Sequence, residues 1–179
     1  MKDLLICISI GALLGTANLA SAQQSPGATE TVTIGGNAIT ITYSSPRVRG
    51  REGKLFGKDG RIGQDGTYPV WRAGANAATA FHTDATLDIG GLAVPSGDYT
   101  LFVNLADPNN WELIINKQTG QWGLSHDQAQ DLGRVKMTMS KPSAVVENLK
   151  YTLSDEGGNQ GKLTLEWENH SASVLFTVK

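Results

Sequence analysis

The chain has 179 residues, 40% of them hydrophobic and 18% charged, with a formal net charge of −2. A balance this close to neutral argues against non-specific nucleic-acid binding, and a single cysteine excludes a disulfide-stapled scaffold. The 21 glycines and the 7% aromatic share fit a turn-rich β protein.

At the N-terminus, Lys2 precedes an apolar run from Leu4 to Leu14 that is broken by Ser9 and Gly11. Small residues follow, ending in Ala20-Ser21-Ala22. This three-part pattern predicts a secretory signal peptide over residues 1–22, cleaved before Gln23. The competing reading is a buried N-terminal helix. The run is shorter than the about 20 apolar residues of a membrane span, and nothing later is apolar enough to span. Cys7 lies inside the run, so cleavage leaves a chain with no thiol for a disulfide, a nucleophile or a metal. The expected location is the periplasm or the extracellular medium. Removing Lys2 and Asp3 together leaves the charge unchanged.

Residues 23–30 are polar, with Pro26 and Gly27, and read as a flexible leader. A single domain is expected over residues 31–179. In it, apolar residues recur at every second position: Ile39, Ile41, Tyr43; Tyr99, Leu101, Val103, Leu105; Trp111, Leu113, Ile115; Val135, Met137, Met139. The pattern continues in Leu149, Tyr151, Leu153, then Leu163, Leu165, Trp167, then Val174, Phe176, Val178. Such alternation marks strands buried on one face. Turn residues divide them at Asp88–Gly91, Pro95–Asp98, Asp107–Asn110, Glu156–Asn159 and Glu168–Ser171. The last two turns predict a closing three-strand meander. Ser125 with Gln128 three residues on is a capping-box pattern, which predicts a short helix over residues 126–131 ended by Gly133. The fold class expected is all-β, an antiparallel β-sandwich or flattened barrel of about 8–10 strands. Between Ser44 and Gly66 runs a long irregular stretch, and loops of that length are often functional.

Several segments, in order, carry a resemblance. They are Tyr43-Ser44-Ser45-Pro46-Arg47-Val48-Arg49-Gly50-Arg51, Phe56-Gly57, Val70-Trp71-Arg72-Ala73-Gly74-Ala75-Asn76 and Gly97-Asp98-Tyr99-Thr100-Leu101-Phe102. Then come Trp111-Glu112-Leu113-Ile114-Ile115-Asn116-Lys117, Gln121-Trp122-Gly123 and Leu165-Glu166-Trp167-Glu168. With them the chain resembles the exported bacterial proteins grouped as domain of unknown function 2911. The resemblance implies export and a β fold, and brings no established chemistry. The chain departs from that family at Lys58 to Thr67, a glycine-rich run where members usually carry a short link containing Pro-Tyr-Gly.

Two clusters are candidate ligand sites. The first is Arg49 and Arg51, beside Pro46 and Arg47, with Arg72 and Asn76. Arginine offers a planar set of donors suited to carboxylate or phosphate, and the glycine-bracketed 72–76 segment can turn backbone N–H groups toward an anion. The bland alternative is a structural arginine paired with an acid and an asparagine in a turn. The second is Asn116, Lys117, Gln121, Trp122 and His126, at a strand end and the expected helix start, where anions are favoured. Its bland alternative is a tryptophan plugging the sandwich end.

Other chemistry finds little support. His82, His126 and His170 lack metal-ligand spacing; His170 falls in a turn and reads as solvent-exposed, and His82 as lying on a strand edge. Asp59 and Asp65 do not alternate with further oxygen ligands, so no calcium loop is expected. No metal and no cofactor is expected. No G-x-S-x-G elbow is present, and Ser45, Ser96 and Ser125 have turn or cap contexts. Paired carboxylates for glycoside hydrolysis would come from Glu112, Glu166 or Glu168, but Glu166 and Glu168 share the face opposite Leu165 and Trp167, which reads as solvated. The Asn169-His170-Ser171 sequon carries no meaning in a bacterial-type chain.

The function expected is an envelope binding module for a small anionic or carbohydrate-like ligand, or for a protein partner. One alternative is a small hydrolase with a site pooled from Arg72 as electrostatic stabiliser, Lys117 as substrate contact and His126 as general base. Another is a structural envelope protein. Ligand identity and oligomeric state stay open, as does whether the Arg72 and Trp122 clusters meet in space.

Overall fold

Period-two alternation becomes two antiparallel sheets in the structure, a computed structural model that describes residues 24–179. The expected signal peptide and Cys7 lie outside the described residues. The first sheet holds β1 (Gly27–Ile34), β2 (Asn37–Ser44), β4 (Thr79–Thr83), β7 (Gly97–Asn104), β8 (Glu112–Asn116) and β9 (Asp131–Lys136). They run in the order β1-β2-β4-β7-β8-β9, with β3 (Val70–Trp71) pairing the end of β7. The second holds β11 (Val146–Gly157), β12 (Gln160–Glu168), β13 (His170–Val178), β5 (Leu87–Ile89) and β6 (Leu92–Val94), in the order β11-β12-β13-β5-β6. In this sheet β10 (Thr138–Ser140) pairs the start of β13. The sheets pack face to face without closing into a barrel.

The inward positions are the alternating ones. Ile39, Ile41 and Tyr43 of β2, Leu101 and Val103 of β7, and Leu113 and Ile115 of β8 share one core with Leu149, Tyr151, Leu163, Leu165, Trp167 and Phe176. Each such side chain contributes about 1.5–3 kcal/mol by leaving water. Tyr43 and Tyr151 meet edge-on at 4.9 Å, and the Tyr151 hydroxyl donates to the Ala73 carbonyl at 3.0 Å. That bond ties the second sheet to the segment after β3.

Four features depart from the expectations. The strand count rises to thirteen because β3, β5, β6 and β10 have only two or three residues, too few for alternation to register. The second half of the segment read as a flexible leader is strand: β1 begins at Gly27 and pairs with β2 along its whole length, from Gly27 opposite Ser44 to Ile34 opposite Asn37. The expected helix contracts to one 3-10 turn, Gln128–Gln130, capped by Asp127, whose carboxylate accepts from the Ala129 amide at 2.9 Å, and not by Ser125. Gly133 ends no helix. It lies in β9, where a Cβ would meet Leu92 Cδ1 at 2.6 Å.

The 44–66 stretch has almost no regular pairing but is well packed. Val48, Leu55 and Ile62 are buried in the main core. Its turns are closed by Arg61 donating to Lys54, Ile62 to Leu55 and Asp65 to Ile62, all through backbone groups at 2.9–3.0 Å.

Candidate functional site: an arginine-lined cavity

β3 delivers Trp71 to the core and then turns sharply. Ala73 and Asn76 have φ of +49° and +59°, so the Arg72–Asn76 segment is tightly coiled. It is also fully tied down. The Ala75 amide donates to Ser44 O at 3.1 Å, Thr79 Oγ1 donates to the carbonyls of Arg72 and Ala73, and Asn76 Nδ2 donates to Ser25 O and Ser44 Oγ at 3.3 Å. Asn76 is thus a structural tie, engaged by its own surroundings.

Arg72 emerges from this frame into a cavity of about 170 Å³ that it shares with Arg51, Arg61, Asp65, Trp71 and Trp167. The Arg72 side chain is 14% exposed. Its ion-pair partner is Asp65, with Nη2 3.4 Å from Oδ2, and Asp65 is shared with Arg61 at 3.3 Å. Arg72 Nε and Nη1 are buried with no hydrogen-bond partner, and so is the indole Nε1 of Trp167. Burial holds the Arg72 guanidinium below its usual range, while Asp65 pulls it up. Buried donors without partners are costly, and in native proteins they are met by water, an ion or a ligand.

A second cavity of about 180 Å³ adjoins the first and shares Ser25, Pro46 and Arg51 with it. Its walls add Arg47 and Arg49. Across the two cavities five arginines face one aspartate, so the groove is strongly electropositive although the chain is not. Arg51 spends Nε on Val48 O at 2.9 Å and Nη2 on Arg47 O at 2.7 Å. Arg49, at φ +52°, keeps an exposed side chain while its amide donates to Glu147 Oε1 at 3.0 Å.

The second sequence cluster touches this site through its backbone. Ala77 and Trp122 form a β-bridge, and the Gly123 amide donates to the Asn76 carbonyl at 3.1 Å. The side chains go elsewhere. Trp122 is 55% exposed. The Lys117 side chain is exposed, and its amide donates to Gln130 O. Gln121 is buried, its Oε1 accepting from Thr100 Oγ1 at 3.3 Å. Asn116 and His126 converge on Asp131, donating to Oδ1 at 2.8 Å each, while Arg134 reaches Oδ2 at 3.0 Å; the His126 ring lies edge-on to Phe102 on the outer face of the first sheet. Neither Lys117 nor His126 lines the Arg72 cavity.

Arg61, Asp65, Trp71 and Trp167 belong to the cavity but were not singled out as ligand-binding from sequence. Arg61 and Asp65 sit in the glycine-rich run, and their i, i+4 opposite charges were the available signal. Two other readings are corrected. Glu168 is not on a solvated face: it is 2% exposed, because the chain leaves β12 at φ +56° and swings the residue inward. His170 is not free in solvent: its ring stacks on Trp111 at 5.2 Å and 13°. His82 stands on an interior strand of its sheet, its ring exposed and held by Asp98 at 2.7 Å and Asp84 at 3.0 Å.

Fold and site together define a two-sheet antiparallel sandwich with an arginine-lined groove beside an aromatic core cluster. The family model described as protein of unknown function (DUF2911) matches residues 25–176, and the chain belongs to that family. No curated protein and no solved structure matches it.

Proposed function

We propose that this protein is a binding module for a small anionic or otherwise acceptor-rich ligand, held in the groove of Arg49, Arg51, Arg61 and Arg72. The observation that carries this reading is the buried Arg72 guanidinium, which has two N–H-bearing nitrogens without a partner beside a third orphan donor, Trp167 Nε1. All three unpartnered groups are donors, so the complement is an acceptor. Arginine is weakly hydrated and always charged, which suits it to a partly buried anion site. Export belongs to the same proposal. It rests on the signal-peptide pattern of residues 1–22 and places the protein in the periplasm or outside the cell.

Thermal unfolding against phosphate, sulfate, citrate and glucuronate, with glucose as the neutral control, tests the reading. A ligand at 100 times its Kd adds about 2.7 kcal/mol, a shift of roughly 5–10 °C for a chain of this size. The shift is expected with at least one anion and is expected to vanish in Arg72→Ala. Equal or absent shifts across all five compounds would remove the support for an anion site. N-terminal sequencing of the secreted protein tests export, with Gln23 expected as the first residue.

A further inference from the structure

Glu168 and Asn169 form the two-residue turn between β12 and β13. Glu168 has φ +56°, a region where glycine is the usual occupant of a tight turn. Its side chain is 3% exposed, and the carboxylate accepts from the Gly53 amide. A left-handed backbone and a buried carboxylate both cost stability, and glycine would make the turn without either. Such an outlier, held in place by its surroundings, is a mark of a functional constraint.

The beneficiary is His170. Its ring stacks on Trp111 and leans on Phe56 with centroids 4.4 Å apart. Nδ1 is wholly buried, 3.4 Å from Glu168 Oε2, without a formed hydrogen bond. The His170 side chain is still 29% exposed although Nδ1 is buried, and Nε2 has no hydrogen-bond partner among the described residues. It lines a cavity of about 230 Å³ with Phe56, Tyr68, Leu105, Trp111 and Lys58. Burial holds the imidazole below the usual histidine range, with Glu168 opposing, which favours the neutral ring. A neutral ring beside a carboxylate keeps its proton on the nitrogen facing it and leaves the other as an acceptor.

We propose that this cavity is a second ligand site for a small aromatic ring bearing a hydroxyl group. The hydroxyl donates to His170 Nε2, and the ring lies against the apolar walls of Phe56 and Trp111. Glu168 is a positioning residue that keeps the His170 proton on Nδ1. The site is separate from the arginine groove: Phe56 lines this cavity, while Trp71 and Trp167, which it touches, line the other.

Phenol is the probe, toluene its counterpart without the hydroxyl, and the readout is the His170 imidazole in long-range proton–nitrogen NMR. The free protein is expected to show the Nδ1–H tautomer, and phenol to shift Nε2 saturably. Toluene is expected to bind about tenfold more weakly, and His170→Phe, which keeps a stacked ring, to weaken phenol by about the same factor. Glu168→Gln is expected to move the tautomer balance toward Nε2–H and weaken phenol severalfold, a change that a merely structural glutamate would not produce. Arg72→Ala is expected to leave phenol binding intact. Toluene binding as tightly as phenol would overturn the proposal. So would an Nε2–H tautomer in the free protein, unchanged His170 signals at millimolar phenol, or loss of phenol binding in Arg72→Ala.

Discussion

A Cβ built on Gly123 falls 2.0 Å from Cδ of Arg72 and 2.6 Å from the carbonyl oxygen of Asn76. No real Cβ survives such contacts. The Gln-Trp-Gly segment and the Trp-Arg-x-Gly-Ala-Asn segment, 50 residues apart, are therefore halves of one structural unit in which Gly123 is the floor under the Arg72 methylenes. Gly123→Ala is expected to destabilise the protein by about 1–3 kcal/mol, the usual cost of overpacking. Because backbone as well as side chain is in the way, it is also expected to shift the guanidinium and weaken anion binding. Denaturant midpoints with and without ligand separate the two effects.

Asp65 is the negative charge nearest Arg72 in the groove. An incoming anion competes with it for the same guanidinium. Asp65→Asn is expected to tighten anion binding severalfold and to steepen its loss with added salt, since the groove then carries one more uncompensated positive charge. Titration calorimetry at two ionic strengths reads both. Unchanged affinity would mean that the anion does not engage Arg72.

Asp131 gathers Asn116, His126 and Arg134, with its side chain 9% exposed. It fastens the 117–130 segment onto the outer face of β7 and β8. Asp131→Ala strands two buried partners and is expected to cost about 2–3 kcal/mol, near the upper range for a lost charged acceptor. Amide exchange in residues 117–130 is expected to accelerate while the arginine groove keeps its ligand.

Two histidines oppose each other in pH dependence. His170 has its pKa lowered by burial, so the stability it contributes is present above the usual value of 6.5 and is lost as pH falls through the folded value. His82 has its pKa raised by hydrogen bonds to Asp84 and Asp98. Its contribution is present below 6.5 and is lost as pH rises through the folded value. Melting temperature is thus expected to decline on acidification more steeply in His82→Gln than in the parent, and less steeply in His170→Phe. Scans from about pH 5 to 8, the window in which histidines titrate, check both signs.

Much of the fold was legible from local pattern. Ile39, Ile41 and Tyr43, or Leu163, Leu165 and Trp167, alternate because a strand has period two, and that periodicity is written in the chain itself. The turns at Gly90-Gly91 and Gly157-Gly158, all at positive φ, were legible as strand ends, and the second as part of the closing meander, for the same reason. The expected helix at 126–131 failed because the capping signal at Ser125 is local, whereas the pull on this segment is not: Asn116 and His126 both close on Asp131, and that closure leaves room for only a single turn.

What the sequence by itself determined is the antiparallel sandwich, the closing meander and the family membership. Those follow from residue type and spacing along one strand or one loop. Only the tertiary structure decided that Arg72 lies in a cavity with Nε and Nη1 unpartnered, that Asn76 is spent on Ser25 and Ser44, that Gly123 packs beneath Arg72, and that Glu168 and His170 face inward. Each of those depends on which strand ends meet across two sheets. Burial and the loss of hydrogen-bond partners are properties of that meeting, made by residues far apart in the chain.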